Sequence, residues 1–527
     1  MSPTRRDVLR QLAALALMPR LDLSAAVTDP LDGSISTYQA GRRAGDWSAA
    51  EVTAAALARC GSDGVRWRAI DALAPESALA EARASDRRLH AGRLRGPLDG
   101  VPVFAKSIYD VRGLPTTASN AEWARLFPHA VMRDALEVSR LRQAGAVILG
   151  KTAADDFAYD GVGTSTHTGQ VQNPHDPTAL HTPGGSSAGS AVAVAAGMAF
   201  VALGTDDGGS NRIPAQFTGV VGMKPTFGLV PRTGVVPTWP YLDTHGPLAR
   251  NVADAALMLA ALAGPDPSDP LALASAFDVS TLVGLRDDAL AGVRIGVVEA
   301  HVPRDRMEAE SVAAWDRALD DLRAAGAHLD AFTPNVTLTT VRDAFSARAR
   351  SAGCAAADPR SPAPTANALL RYFRGRSDDP RADARRGYAA YRAYYDVLPE
   401  TWQEAVPLLD QPMEADAGGL CFARARADVV TGLTDAMRAA GVAAMVYPTM
   451  PYRAFRLADG WPELRSALGY GNWLGLPEVS VPAGFGADGL TLPNLSVVGL
   501  PGADAQVLAF AHAYERQSQR FRAPARG

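Results

Sequence analysis

The chain has 527 residues, 47% of them hydrophobic and 20% charged, with a formal net charge of −4 and a pI near 6.2. This is globular composition, and it excludes the broad basic field of a nucleic-acid binder. Three widely spaced cysteines, Cys60, Cys354 and Cys421, with no CxxC pair, argue against a zinc site or a disulfide framework.

In chain order, the first signal is Thr4-Arg5-Arg6-Asp7-Val8-Leu9-Arg10, which is similar to a twin-arginine export pattern. A short apolar run, Leu12 to Met18, follows, and Ser24-Ala25-Ala26 offers small residues for cleavage. Residues 1–27 are therefore read as a twin-arginine-like leader to the periplasm, with a cytoplasmic amphipathic helix as the alternative. Residues 37 to 90 read as helical. Ser48 with Glu51 three residues on forms a capping box, and alanine-rich helices continue to about Leu94. Val101 to Ala105 is a short strand, Leu136 to Ala144 a helix and Ala146 to Leu149 a buried strand. The alternation runs on to Val293–Val298 and points to an α/β layer fold. The apolar, uncharged run Ala188 to Gly204 reads as a buried core helix, at the lower edge of membrane-span length. Residues 305–440 form a long charged helical block, taken as an insertion between halves of one sheet. Strands return at Ala443–Pro448 and Pro477–Pro482. Residues 28–515 are thus one domain, and 516–527 a basic tail.

Gly145 to Thr152 fits the phosphate-loop pattern GxxxxGKT. Its four intervening residues are themselves a strand, which cannot curl its amides around a phosphate, so nucleotide binding is not expected there. His167, His175 and His181 lie at irregular offsets and do not have metal-ligand spacing.

The chemistry is concentrated between Asn173 and Pro225. Gly184-Gly185-Ser186-Ser187 and Gly208-Gly209-Ser210 are two glycine-serine turns flanking one apolar segment. Acyl transfer needs a nucleophile, a route for its proton and donors for an oxyanion. Ser210 ends a turn in which the amides of Asp207, Gly208 and Gly209 converge, an anion-binding concavity. The base is sought among the lysines, because no histidine sits in a partner motif and a buried lysine can lose its proton. Of 52 Lys plus Arg only three are Lys: Lys106, Lys151 and Lys224. Lys106 follows directly on the strand Val101 to Ala105.

This combination resembles the amidase-signature family. Gly184 to Ser190 reads GGSSAGS and Gly204 to Pro214 reads GTDDGGSNRIP, with 24 positions from Ser186 to Ser210. Gly100 to Lys106, Asn173 to Pro177, Gly222 to Thr226, Asp243 to Arg250 and Gly475 to Gly484 also fit, so the likeness spans roughly Thr37 to Glu515. The resemblance implies a mixed sheet sandwiched between helices. It also implies that Ser210 is the nucleophile, Ser186 after a cis peptide the proton relay and Lys106 the base. Ser187, Thr205, Asp206 and Arg212 are implied as supporting residues, the last two as an ion pair. No metal or organic cofactor is implied, and no partner beyond a small amide, although a homodimer is compatible. The implied reaction is carboxamide hydrolysis through an acyl-enzyme. The alternatives are one subunit of a glutamine-dependent amidotransferase and a non-catalytic binding protein on the same scaffold. Three departures stand out: Asp207 in the oxyanion turn, here expected to point away from it; Asn211 after the nucleophile; and Leu492 to Gly499 near the C-terminus.

Overall fold

The computed structural model describes residues 29–273, 278–354, 358–412, 416–464 and 466–525. The leader-like segment at 1–27 lies outside them. Helix Ala49–Arg59 opens on the expected box: Ser48 Oγ accepts from Glu51 N, and the Glu51 carboxylate accepts from Ser48 N at 2.7 Å. The box satisfies two of the four free amides at the helix start, and the Asp86 carboxylate accepts from the other two, Ala49 N and Ala50 N.

Eleven strands form one sheet. They are β1 (Ile70–Leu73), β2 (Pro102–Lys106), β3 (Val147–Thr152), β4 (Val201–Thr205), β5 (Val221–Lys224), β6 (His245–Ala249), β7 (Arg294–Val297), β8 (His328–Ala331), β9 (Ala444–Pro448), β10 (Glu478–Val481) and β11 (Leu495–Val498). Their spatial order is β1-β3-β2-β4-β6-β5-β10-β11-β9-β7-β8. β2 is parallel to β3 and β4, and β7 is parallel to β8 and β9; the remaining pairs are antiparallel. This is the expected mixed sheet flanked by helices. β2 and β4 end at the same edge, where Lys106 and Thr205 lie, and β6 starts there with His245 opposite Thr205.

Four sequence readings are corrected. The apolar run 188–204 is not one helix. Helix Ala188–Ala195 stops before Gly197, whose φ of 68° suits a residue without Cβ, and β4 follows. Every residue of the run is buried, so hydrophobicity alone could not separate the two elements. The helical insertion begins later than residue 305, because helix Ala309–Ala324 leads into β8, which pairs with β7. The tail begins later than Arg516, because helix Asp504–Ser518 carries through it with Val507, Leu508 and Tyr514 buried. Finally, two of the distant cysteines are joined: Cys354 and Cys421 form a disulfide across 67 residues, with Cα atoms 6.2 Å apart. Helices Val341–Ser351 and Ala417–Ala440 bring them together by packing, with Phe345 stacked on Phe422 at 5.0 Å.

The insertion is firmly seated. Phe373, Tyr391 and Tyr395 pack against Trp123 and Phe157, and Tyr372 Oη donates to Asp110 Oδ1 at 3.0 Å. The phosphate-loop-like stretch is a sheet strand between β1 and β2, so its backbone groups are committed to the ladder. Lys151 Nζ donates to Pro115 O and Thr116 Oγ1 at 2.9 and 3.2 Å, a structural role. Among the described residues no helix is long and apolar enough to cross a membrane.

Candidate active site

The end of β2 places Lys106 in the interior, where Nζ donates to Ser186 Oγ at 2.7 Å and to Thr205 Oγ1 at 2.8 Å. Lys106 is wholly buried. Burial pushes its ammonium down to about 8, against the pull of Asp207, Asp155, Asp206 and Asp243. A lysine in that range is neutral often enough near neutral pH to accept a proton.

Ser186 follows a cis Gly185–Ser186 peptide. A Cβ on Gly185 would lie 1.9 Å from Asp155 Oδ2, so the turn closes over that carboxylate only with glycine. Asp155 in turn accepts from Gly163 N and Thr164 N at 3.0 and 2.8 Å, and burial pushes its carboxyl up to about 7. Ser187 ties the two glycine-serine turns together. Its amide donates to Ser210 O, and its hydroxyl accepts from Thr205 N and donates to Asn211 Oδ1 at 3.1 Å. Asn211 Nδ2 donates to Met223 O at 3.0 Å. The departure at 211 is thus a polar clip between the turn and β5.

Ser210 is 7% exposed. Its hydroxyl makes no hydrogen bond to a described residue, so the Lys106–Ser186 link is made while Ser210 Oγ is unpaired. Below the turn, Asp206 and Arg212 form the expected ion pair, bidentate at 2.9 and 2.8 Å. Arg212 also donates to Glu478 Oε2 at 2.5 Å and Asn472 Oδ1 at 2.6 Å. Asn472 Nδ2 returns to Asp206 Oδ1 at 3.0 Å. Burial alone would raise the Asp206 carboxyl, but the Arg212 guanidinium outweighs it and holds it well below the usual carboxylate range.

One expectation about the turn is corrected. The Gly209 amide is already committed: it donates to Asp206 Oδ1 at 2.8 Å. The amides free to face an oxyanion are those of Asp207, Gly208 and Ser210. Gly209 keeps a geometric role, since its φ is 123° and a Cβ would meet Leu468 Cδ1 at 2.5 Å. Asp207 is turned into the interior rather than to solvent. Its side chain is buried, and neither oxygen receives a hydrogen bond. Burial and the neighbouring Asp243 carboxylate raise it well above the usual carboxylate range, which leaves it protonated and uncharged. A neutral acid does not oppose an oxyanion as a carboxylate would.

Sequence reasoning brought Lys106, Ser186, Ser187, Thr205, Asp206, Ser210 and Arg212 to one place, and the structure assembles them there. It missed Asp155, Asp243, Asn472 and Glu478. Glu478 carried a signal, being an acid inside a wholly buried strand. Lys224, fully buried with Nζ donating to Pro225 O at 3.1 Å, stays outside the site.

Known proteins resemble this chain in sequence and in fold. The family profile described as "Amidase" matches residues 51–508. A glutamyl-tRNA(Gln) amidotransferase subunit of Chloroflexus aurantiacus is 34% identical over 92% of this chain and 96% of its own length. The subunit of the same name from Anaeromyxobacter sp. strain K is 36% identical over 90% and 94%. Among solved structures, the peptide amidase of Stenotrophomonas maltophilia superposes with a TM-score of 0.76 at 31% identity, covering 94% of this chain and 98% of that one. A bacterial aryl acylamidase gives 0.69 at 25% identity, with 92% and 96% covered.

Proposed function

The chain belongs to the amidase family and is an enzyme acting on carbon–nitrogen bonds; from that premise we propose that it hydrolyses a carboxamide through an acyl-enzyme on Ser210. The observation that carries the reading is the buried Lys106, with Nζ 2.7 Å from Ser186 Oγ and its basicity lowered to about 8. Ser210 Oγ attacks the carbonyl carbon while its proton passes to Ser186, whose own proton passes to Lys106. The amides of Asp207, Gly208 and Ser210 receive the oxyanion. The proton returns through Ser186 to the leaving nitrogen, the C–N bond breaks, and water then releases the acid by the same relay. The test is release of ammonia or amine from a panel of aliphatic, aromatic and aminoacyl amides, with Ser210→Ala as control. Turnover that survives in Ser210→Ala refutes the assignment.

The sequence relatives named above are amidotransferase subunits, which favours a glutamine-dependent subunit, supplying ammonia to partners, over a stand-alone amidase. Two observations support the stand-alone setting: the twin-arginine-like leader and the Cys354–Cys421 disulfide, which suits an oxidising compartment. Export to the periplasm is the localisation they support. Copurification with partner proteins and turnover specific to glutamine would establish the first setting. Recovery of the active, oxidised chain from the periplasm would establish the second.

A further inference from the structure

Asp207 is an acid in the oxyanion turn with no hydrogen-bond donor to either oxygen. It is 5% exposed, and both oxygens are buried without a donor. Its carboxyl lies against that of Asp243, acceptor to acceptor. Asp243 is fixed by two amides, accepting from Thr238 N at 3.1 Å and Trp239 N at 2.8 Å. The other groups around the pair are already engaged. Asp206 belongs to Arg212. Tyr109 Oη donates to Gly204 O, Tyr391 Oη to Pro237 O, and Tyr395 Oη to Phe157 O. Lys106 is directed at Ser186 and Thr205. Arg232 is held bidentate by Asp269. Asp243 also lines a cavity of about 400 Å³, whose outer wall includes Arg133 and Arg371.

Two carboxyl groups side by side, with no salt bridge to a cation, are costly in a folded interior unless a proton or a bound cation completes them. We propose that the Asp207–Asp243 pair is an acyl-side subsite for an ammonium group, so that the preferred amides carry a cationic amine close to the scissile carbonyl. The assignment rests on Ser210 as nucleophile, since Asp207 lies three residues before it in the same turn. In the unliganded protein Asp207, raised well above the usual carboxylate range by burial and by Asp243, holds a proton. An incoming ammonium donates N–H bonds to both carboxylates, and that proton leaves to solvent. Arg133 and Arg371, further out, accommodate a carboxylate at the distal end of the same substrate.

The experiment is calorimetric binding at pH 7 to the full chain carrying Ser210→Ala, with alaninamide and its uncharged isostere isobutyramide as probes. Alaninamide is expected to bind about tenfold tighter or more. It should also release protons, seen as a dependence of the binding heat on buffer ionisation enthalpy. Adding Asp207→Asn or Asp243→Asn is expected to bring the affinity ratio near one and remove the proton release. Equal affinity for the two probes, or a preference unchanged in both added variants, overturns the proposal. Ammonia release from isobutyramide by the parent chain, lost in Ser210→Ala, reports separately on the catalytic reading.

Discussion

Burying Lys106 has a cost whose pH dependence is specific. Its ammonium titrates at 10.5 in an ordinary setting and at about 8 in the folded chain. The folded state therefore binds the proton less tightly than the unfolded state. Below pH 8 both states are charged, and the folded one bears the whole penalty, about 3 kcal/mol at 1.36 kcal/mol per pK unit. As pH rises through 8 towards 10.5 the penalty fades, and at pH 10 it is under about 1 kcal/mol. Lys106→Met removes the titrating group and keeps most of the volume. Relative to wild type, its free energy of unfolding is expected to be larger, meaning more stable, at pH 7 than at pH 10 by about 2–3 kcal/mol. The lost hydrogen bonds to Ser186 and Thr205 shift both values alike. Urea denaturation at the two pH values measures the difference. The same titration governs the rate: wild-type kcat/KM is expected to fall about tenfold per pH unit below 8, as the neutral base is lost. Lys106→Ala should lose more activity at neutral than at high pH, where hydroxide partly replaces the base. A stability difference independent of pH, together with a rate flat between pH 6 and 8, would refute the reasoning.

Gly209→Ala places a Cβ 2.5 Å from Leu468 at a φ of 123°. It should cut kcat by about 100-fold or more by displacing the oxyanion amides, with circular dichroism unchanged. Arg212→Lys keeps the charge but cannot reach Asp206, Asn472 and Glu478 together. A loss of about 3 kcal/mol in urea unfolding is expected, and unchanged stability would show that the brace is dispensable. Cys421→Ser opens a cross-link spanning 67 residues. It should cost about 4 kcal/mol by loop-closure entropy, and dithiothreitol should reproduce the effect on wild type.

The parts of this molecule that were legible in sequence are those where chemistry constrains neighbours along the chain. The Ser48–Glu51 box is local, and the two glycine-serine turns announce their backbone needs through glycine. Lys106 was conspicuous because the chain otherwise uses Arg. What was not legible depends on residues meeting through packing. Cys354 and Cys421 are joined because two helices stack Phe345 on Phe422, which no spacing rule reveals. The split of run 188–204 turned on Gly197 within a uniformly buried stretch. The orientation of Asp207 depended on Asp243, 36 residues on, turning its carboxylate into the same interior space. The Gly209 amide was misassigned because its partner, Asp206, lies three residues back and folds under its own turn.

The Arg212 brace also bears on how the protein is made. Lys106, Ser186 and Ser210 all lie before residue 211, yet Asn472 and Glu478, two of the partners that fix the turn through Arg212, follow more than 250 residues later in the chain. A nascent or prematurely terminated chain ending before residue 470 carries every reactive group and lacks the clasp that aligns them. Joining the two distant segments through Arg212 is therefore expected to be a condition for aligning the turn.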